Sequence, residues 1–201
     1  MAGTMPHAIF VETGLDQGAT VAAYAAELPG CAVFAATDDE ASSEMPRRVG
    51  RFVDWLRAAG EEAPTFVGDN WYEVERAATS GERASFSLDE LPPSLDEFAR
   101  YLRWLELARE ELANALDGAE APAGDLAAIT RQDLELVTAL GPGTAARRTG
   151  DDPLDRLYQA RDALTDALGA VGPTADGVRR AMRLAIADDL RLAARLRGAG
   201  R

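Results

Sequence analysis

Cys31 and His7 are the one thiol and the one imidazole of the sequence, so a cysteine nucleophile with an imidazole base would have to be built from these two. Thiolate is the reactive form of cysteine, and a nearby cation or helix N-terminus is needed to populate it at neutral pH. Cys31 instead follows Pro29-Gly30 at a turn-to-strand junction with no cationic residue close in sequence, which reads as a half-buried structural thiol. A single cysteine also excludes an intrachain disulfide and a thiolate metal cluster. Ser42, Ser43 and Ser85 have no companion His or Lys motif, because all 21 basic residues are arginine.

Carboxylates are the remaining source of chemistry. Asp133 and Glu135 lie in one helical stretch, and Asp188 and Asp189 in another. On facing helices they could hold a hard cation or act as an acid and base pair. The plainer reading is preferred: these carboxylates are solvated or paired with arginine, Arg131 and Arg183 being the expected partners. No catalytic residue, metal ligand or cofactor is therefore expected. The net charge of -13 argues against a nucleic-acid surface over most of the molecule, since such surfaces neutralise phosphates with cations. From residue 177 to 201 seven arginines face two aspartates. A solvated helix face is the expected reading of that stretch, with Arg179, Arg180 and Arg183 as the weak candidate for a nucleic-acid patch.

These residues need a scaffold, and 201 residues of which 47% are hydrophobic and 27% charged are enough for two small cores. No apolar run approaches the roughly 18 residues of a membrane span, and Met1 to Phe10 lacks the basic start and apolar core of a secretion signal. The expected location is cytoplasmic. His7 to Thr13 and Thr20 to Leu28 read as two antiparallel strands joined by a turn at Gly14 to Gly18, and Cys31 to Ala36 as a third, mostly buried strand. Thr37 with Glu40 forms a helix start, Asp38 and Asp39 favour its first turn, and Val49, Phe52, Val53 and Leu56 make one apolar face. Pro46 inside that helix implies a kink or a later start. Gly60 ends it. Phe66 to Arg76 reads as a further strand with a turn at Gly68-Asp69-Asn70. Trp71 and Tyr72 are expected as core or interface aromatics. Residues 79–93, with Gly81 and Pro92-Pro93, are the expected linker between an α/β unit over 1–78 and a helical unit over 94–201.

In the helical unit, Ser94 and Glu97 make a capping box ahead of a stripe of Leu95, Phe98, Leu102, Leu105, Leu112 and Leu116. Asp125 is placed to cap a second helix carrying Leu126, Ile129, Leu134, Val137 and Leu140, which Gly141-Pro142-Gly143 closes. Asp152-Pro153 opens a third, with Leu154, Leu157, Tyr158, Leu164 and Leu168. Past Gly172-Pro173 a fourth carries Val178, Met182, Ile186, Leu190 and Leu196. Four such helices with short connections predict a four-helix bundle. The expected class is α+β: a three- to four-stranded antiparallel sheet with one main helix, then the bundle.

The run Glu27-Leu28-Pro29-Gly30-Cys31, the helix start Thr37-Asp38-Asp39-Glu40-Ala41 and the close at Gly60-Glu61-Glu62-Ala63-Pro64 together resemble the HicB-like antitoxin domain over residues 7–76. The resemblance implies a sheet with one main helix that, in true antitoxins, binds an mRNA-cleaving toxin. No helix-turn-helix or ribbon-helix-helix segment follows here. Arg100 to Leu116 and Asp152 to Leu168 are similar to the DinB-like bundle family, and Phe86 to Phe98 is similar to the segment that joins the two in fusions. Many DinB-like bundles hold a divalent metal with one His on the second helix and a His-x-x-x-His pair on the fourth. The matching positions here are Ile129, Thr130 and Arg131, then Ile186 or Ala187 with Leu190 or Arg191. The expected function is therefore non-enzymatic binding or assembly, with a protein partner or a homo-oligomer and a metal-free bundle. The candidate partner-binding residues are Leu28, Pro29, Gly30, Cys31, Trp71, Tyr72 and Trp104. Two alternatives stand beside it: a small-molecule binder or enzyme using the bundle core or an interdomain cleft, and an antitoxin-like partner of an mRNA-cleaving toxin.

Overall fold

The computed structural model describes residues 7–64, 71–79, 82–119, 121–141 and 152–199, and the chain divides into two units, Met1–Leu88 and Asp89–Arg201. The expected turn at Gly68-Asp69-Asn70, the first half of the strand expected from Phe66, and the expected breaks at Gly81 and Pro142-Gly143 lie outside the described residues.

In the first unit, β1 (His7–Leu15) and β2 (Thr20–Ala25) pair antiparallel, with Ile9 opposite Ala25 and Val11 opposite Ala23. β3 (Ala32–Ala35) adds antiparallel to β2. Between them Leu28 to Cys31 forms a tight turn: the Cys31 amide donates to the Leu28 carbonyl at 2.9 Å, and Gly30 has φ +85°. Proline second and a positive-φ glycine third is the type II pattern. The strands are shorter than the apolar runs suggest, β2 ending at Ala25 because this turn takes Leu28.

The sheet is mixed, which corrects the antiparallel expectation. β4 (Trp71–Ala78) runs parallel to β1, giving the order β3-β2-β1-β4. The reason is the helix α1 (Asp38–Ala58), whose 21 residues carry the chain about 31 Å back along the sheet, so that β4 sets out in the same direction as β3. Helical crossovers of this kind are what parallel pairing requires. α1 begins at Asp38, ahead of Pro46, so of the kink or later start that the proline implied the later start is not found. The Thr37 hydroxyl accepts from the Glu40 amide at 3.3 Å and the Glu40 carboxylate accepts from the Ala36 amide at 3.4 Å, so the cap secures the turns that precede the proline. The helix buries Ala41, Met45, Val49, Phe52, Val53 and Leu56 and packs on β2 and β3; a large apolar side chain placed so contributes about 1.5–3 kcal/mol.

On the other sheet face Phe86 stacks on Phe10 at 4.8 Å and leans on Tyr24 at 6.1 Å. Residues 83–88, inside the stretch read as linker, are thus part of this unit. Glu75 on β4 helps to hold them, its carboxylate accepting from the Ser87 amide at 2.9 Å.

The second unit consists of α2 (Leu95–Gly118), α3 (Ala123–Leu140), α4 (Pro153–Val171) and α5 (Val178–Ala199). The capping box of Ser94 and Glu97 is formed, and Asp152 accepts from the Leu154 amide at 3.0 Å. α2 packs along α5 and α3 along α4, with a lighter contact between α3 and α5. Leu112, Leu126, Leu157, Leu192 and Leu196 join all four helices in one cluster.

Several stripe assignments shift. Leu95 and Tyr158 are exposed, and α2 buries Tyr101, Trp104 and Ala108 beside the expected Leu105 and Leu112. α3 starts at Ala123, so Asp125 lies in its first turn and meets Arg195 at 2.8 Å rather than capping the helix. α5 is a solvated basic face only near its end, where the Arg195 and Arg197 side chains are about half exposed. Every residue from Ala181 to Leu190 is buried, as an apolar run broken by few charges demands. Arg183 is buried and forks onto Asp89 at 2.6 and 3.1 Å, while Arg179 meets Glu97 and the Leu91 carbonyl, both at 2.9 Å. No helix among the described residues is long and apolar enough to cross a membrane.

Candidate functional site: a buried carboxylate and guanidinium cluster

Three helices of the second unit bring ionisable groups to one place. Asp133 from α3, Arg161 from α4 and Asp189 from α5 are at most 3% exposed. Their positions follow from helical spacing. Asp133 shares a face with Leu126, Val137 and Leu140, and Arg161 shares one with Leu157, Leu164 and Leu168, so both occupy places where a leucine would be expected. Arg161 Nη2 donates to Asp189 Oδ1, and Arg161 Nε lies 3.8 Å from Asp133 Oδ2, an ion pair too long for a hydrogen bond. Arg109 of α2 reaches the same region. Its Nη1 donates to the Thr165 hydroxyl, which donates in turn to the Arg161 carbonyl at 3.0 Å.

The cluster is incompletely satisfied. Among the described residues, Asp133 Oδ2, Asp189 Oδ2, Arg161 Nε, and Arg109 Nε and Nη2 are buried without a hydrogen-bond partner. Burial strips water from a carboxylate and favours its neutral form, and a second carboxylate nearby acts in the same sense. Asp133 is accordingly pushed up to about 7, by burial first and by Asp189 next, against the pull of Arg161 and Arg109. Asp189 is pushed up to about 6 by burial, with Arg161 and Arg109 opposing and Asp188 adding. The same burial holds Arg109 below the usual guanidinium range, but a guanidinium does not give up its proton in a protein. The protons that can move here belong to the two aspartates.

Of the four carboxylates picked out in the sequence, the structure buries Asp133, Asp188 and Asp189 and couples them electrostatically, while Glu135 is exposed with Arg131 at 3.9 Å. Arg131 pairs with Glu135 as expected, but for the buried aspartates the partner differs. Arg183 is taken by Asp89, and Arg161 serves Asp133 and Asp189. Arg161 and Arg109 went unnoticed because an apolar stripe is read by its leucines. The spacing of Leu157, Arg161, Leu164 and Leu168 held the signal.

A second buried charge sits in the sheet. Glu12 on β1 is fully buried and accepts from the Tyr24 hydroxyl at 2.8 Å, the Thr79 hydroxyl at 2.9 Å, the Ala84 amide at 2.6 Å and Arg83 Nε at 3.1 Å. Burial alone would raise this carboxyl, yet Arg83 and the hydrogen bonds outweigh it and the pKa falls below the ordinary value. This network is saturated, unlike the helical cluster.

The candidate partner-binding residues fare unequally. Leu28, Pro29, Gly30 and Cys31 are buried, as is Trp104. Trp71 is half-buried against the His7 ring at 4.6 Å, and Tyr72 is 45% exposed. Cys31 is wholly rather than half buried, and its thiol is pushed up to about 12 by burial, with Arg48 opposing weakly. We expect folded protein at pH 8 to resist alkylation by iodoacetamide for hours and to react stoichiometrically in 6 M guanidinium. Rapid labelling of the native chain would contradict this burial. No family model, curated protein or solved structure matches the chain.

Proposed function

We propose that the chain is a non-enzymatic binding and assembly protein, in which a HicB-like sheet unit supplies the recognition surface and a DinB-like helical unit is a metal-free scaffold. The observation that carries the reading is the outer edge of β4. Among the described residues this strand ladders with β1 alone, and it exposes Tyr72 and Val74. An edge strand is a template for pairing with another extended segment. A second copy of β4 suits it in charge: antiparallel pairing about a two-fold near Val74 and Glu75 would bring each Glu73, which meets Arg76 of its own strand at 2.6 Å, near the Arg76 of the other strand as well, and opposite charges across a ladder are favourable.

The scaffold half of the reading rests on positions where the DinB-like resemblance calls for imidazoles. Ile186, Ala187 and Leu190 are buried apolar residues, Ile129 packs on the helical core, and the Thr130 hydroxyl is spent on the Leu126 carbonyl at 2.8 Å. They do not fit a divalent metal.

Sedimentation of the full chain tests the first half. Self-association at micromolar concentration, lost in a Tyr72→Lys/Val74→Lys double variant, is the expected result, because exposed lysines blunt an edge. A wild type that stays monomeric throughout would remove the self-pairing, and a ribonuclease that co-purifies stoichiometrically would move the reading to an antitoxin-like partner. Elemental analysis tests the second half: a stoichiometric transition metal in the purified protein would overturn the metal-free scaffold.

A further inference from the structure

We infer that Asp133, Arg161 and Asp189 form a proton-binding site that couples the packing of α3, α4 and α5 to pH, holding the helical unit most tightly once the aspartates have taken up protons. The geometry carries the inference. One guanidinium spans two carboxylates from different helices, hydrogen-bonded to one and only ion-paired to the other. Each carboxylate keeps one buried oxygen with no donor among the described residues. An added proton turns such an oxygen into a donor and lifts the repulsion between two buried anions. The charged groups that face the pair are Arg109 from α2, Arg161 from α4 and Asp188 from α5, and Asp162 of α4 acts on Arg109. The cations oppose the uptake, while the third carboxylate, Asp188, favours it.

The direction follows from linkage. A carboxyl whose folded value exceeds its unfolded value near 3.8 adds stability that is complete below about 4 and disappears as pH rises through the folded values. The window is therefore about pH 4 to 7, with a plateau above it. Urea unfolding of the full-length chain at pH 5 and pH 8, followed by helical circular dichroism, gives the test. The folding equilibrium constant of the wild type should fall at least roughly tenfold more between these pH values than that of Asp133→Asn or Asp189→Asn, since the amide cannot titrate. Equal changes in wild type and variants would overturn the inference. Carboxyl carbon NMR of the wild type provides a reading that does not depend on the variants folding. At least one aspartate should titrate above pH 5.5, and titration of every aspartate below pH 5 would overturn the proposal as well.

Discussion

Replacing Arg161 with methionine should cost the helical unit about 3–5 kcal/mol, the range for stranding a buried charge by removing its partner. Arg161 is the one cation within ion-pair distance of both Asp133 and Asp189 among the described residues. Without it two buried carboxylates face each other with only Arg109 near, and Arg109 is turned toward Thr165. The variant should respond by taking up protons, so the loss is expected to be smaller at pH 5 than at pH 8 when read from urea midpoints. A triple variant, Arg161→Met/Asp133→Leu/Asp189→Leu, separates charge from packing. Replacing a whole buried ionic set by apolar residues is often neutral or stabilising by about 1–4 kcal/mol, so the triple variant should recover most of what the single variant loses. A single variant as stable as the wild type would mean that Arg161 does not neutralise the pair.

The same residues mark where sequence reasoning reached and where it stopped. Helix existence in the second unit was readable, because Ser94, Glu97 and Asp152-Pro153 announce starts by local chemistry and the apolar period does the rest. Which face is buried was less so. Counting leucines put Leu134 in the stripe of α3, whereas Asp133 occupies the core position one residue earlier. A charged residue on an apolar face costs free energy unless a partner comes from another helix, and that partner, Arg161, lies 28 residues away in the chain. The pairing is tertiary, so no local pattern contains it. The sheet shows the same limit. The Pro29-Gly30 turn and the Thr37 cap are local and were legible. The parallel docking of β4 depends on where a 21-residue helix delivers the chain, and residues 83–88 look like linker until Phe86 is seen stacked on Phe10.

Glu12 should prove the most costly single side chain to lose in the sheet unit. Glu12→Ala removes the common acceptor of Tyr24, Thr79, Arg83 and the Ala84 amide at once, and leaves the Arg83 guanidinium, whose side chain is 12% exposed, without its carboxylate. Breaking a buried charged pair costs about 3–5 kcal/mol, and each buried donor left unsatisfied adds about 1–3 kcal/mol where water cannot reach it. Marginal stabilities of about 5–15 kcal/mol leave little room for that loss. Glu12→Gln keeps the shape but turns one acceptor oxygen into a donor among donors, so it should be destabilising too, though less. The pH dependence runs opposite to that of the helical cluster. A carboxyl held below its unfolded value of 4.5 contributes stability that is present above that value and lost as pH falls through the lower folded one. Acid should therefore weaken the sheet unit in the wild type, and Glu12→Gln should flatten that fall. Hydrogen exchange at the β1 and β2 amides checks it: protection that drops below pH 4 in the wild type, and is already low but pH-insensitive in Glu12→Gln, is the expected pattern. Protection in the variant equal to the wild type at pH 7 would show that contacts such as Phe86 on Phe10 and Ser87 on Glu75 anchor the Arg83 segment without Glu12.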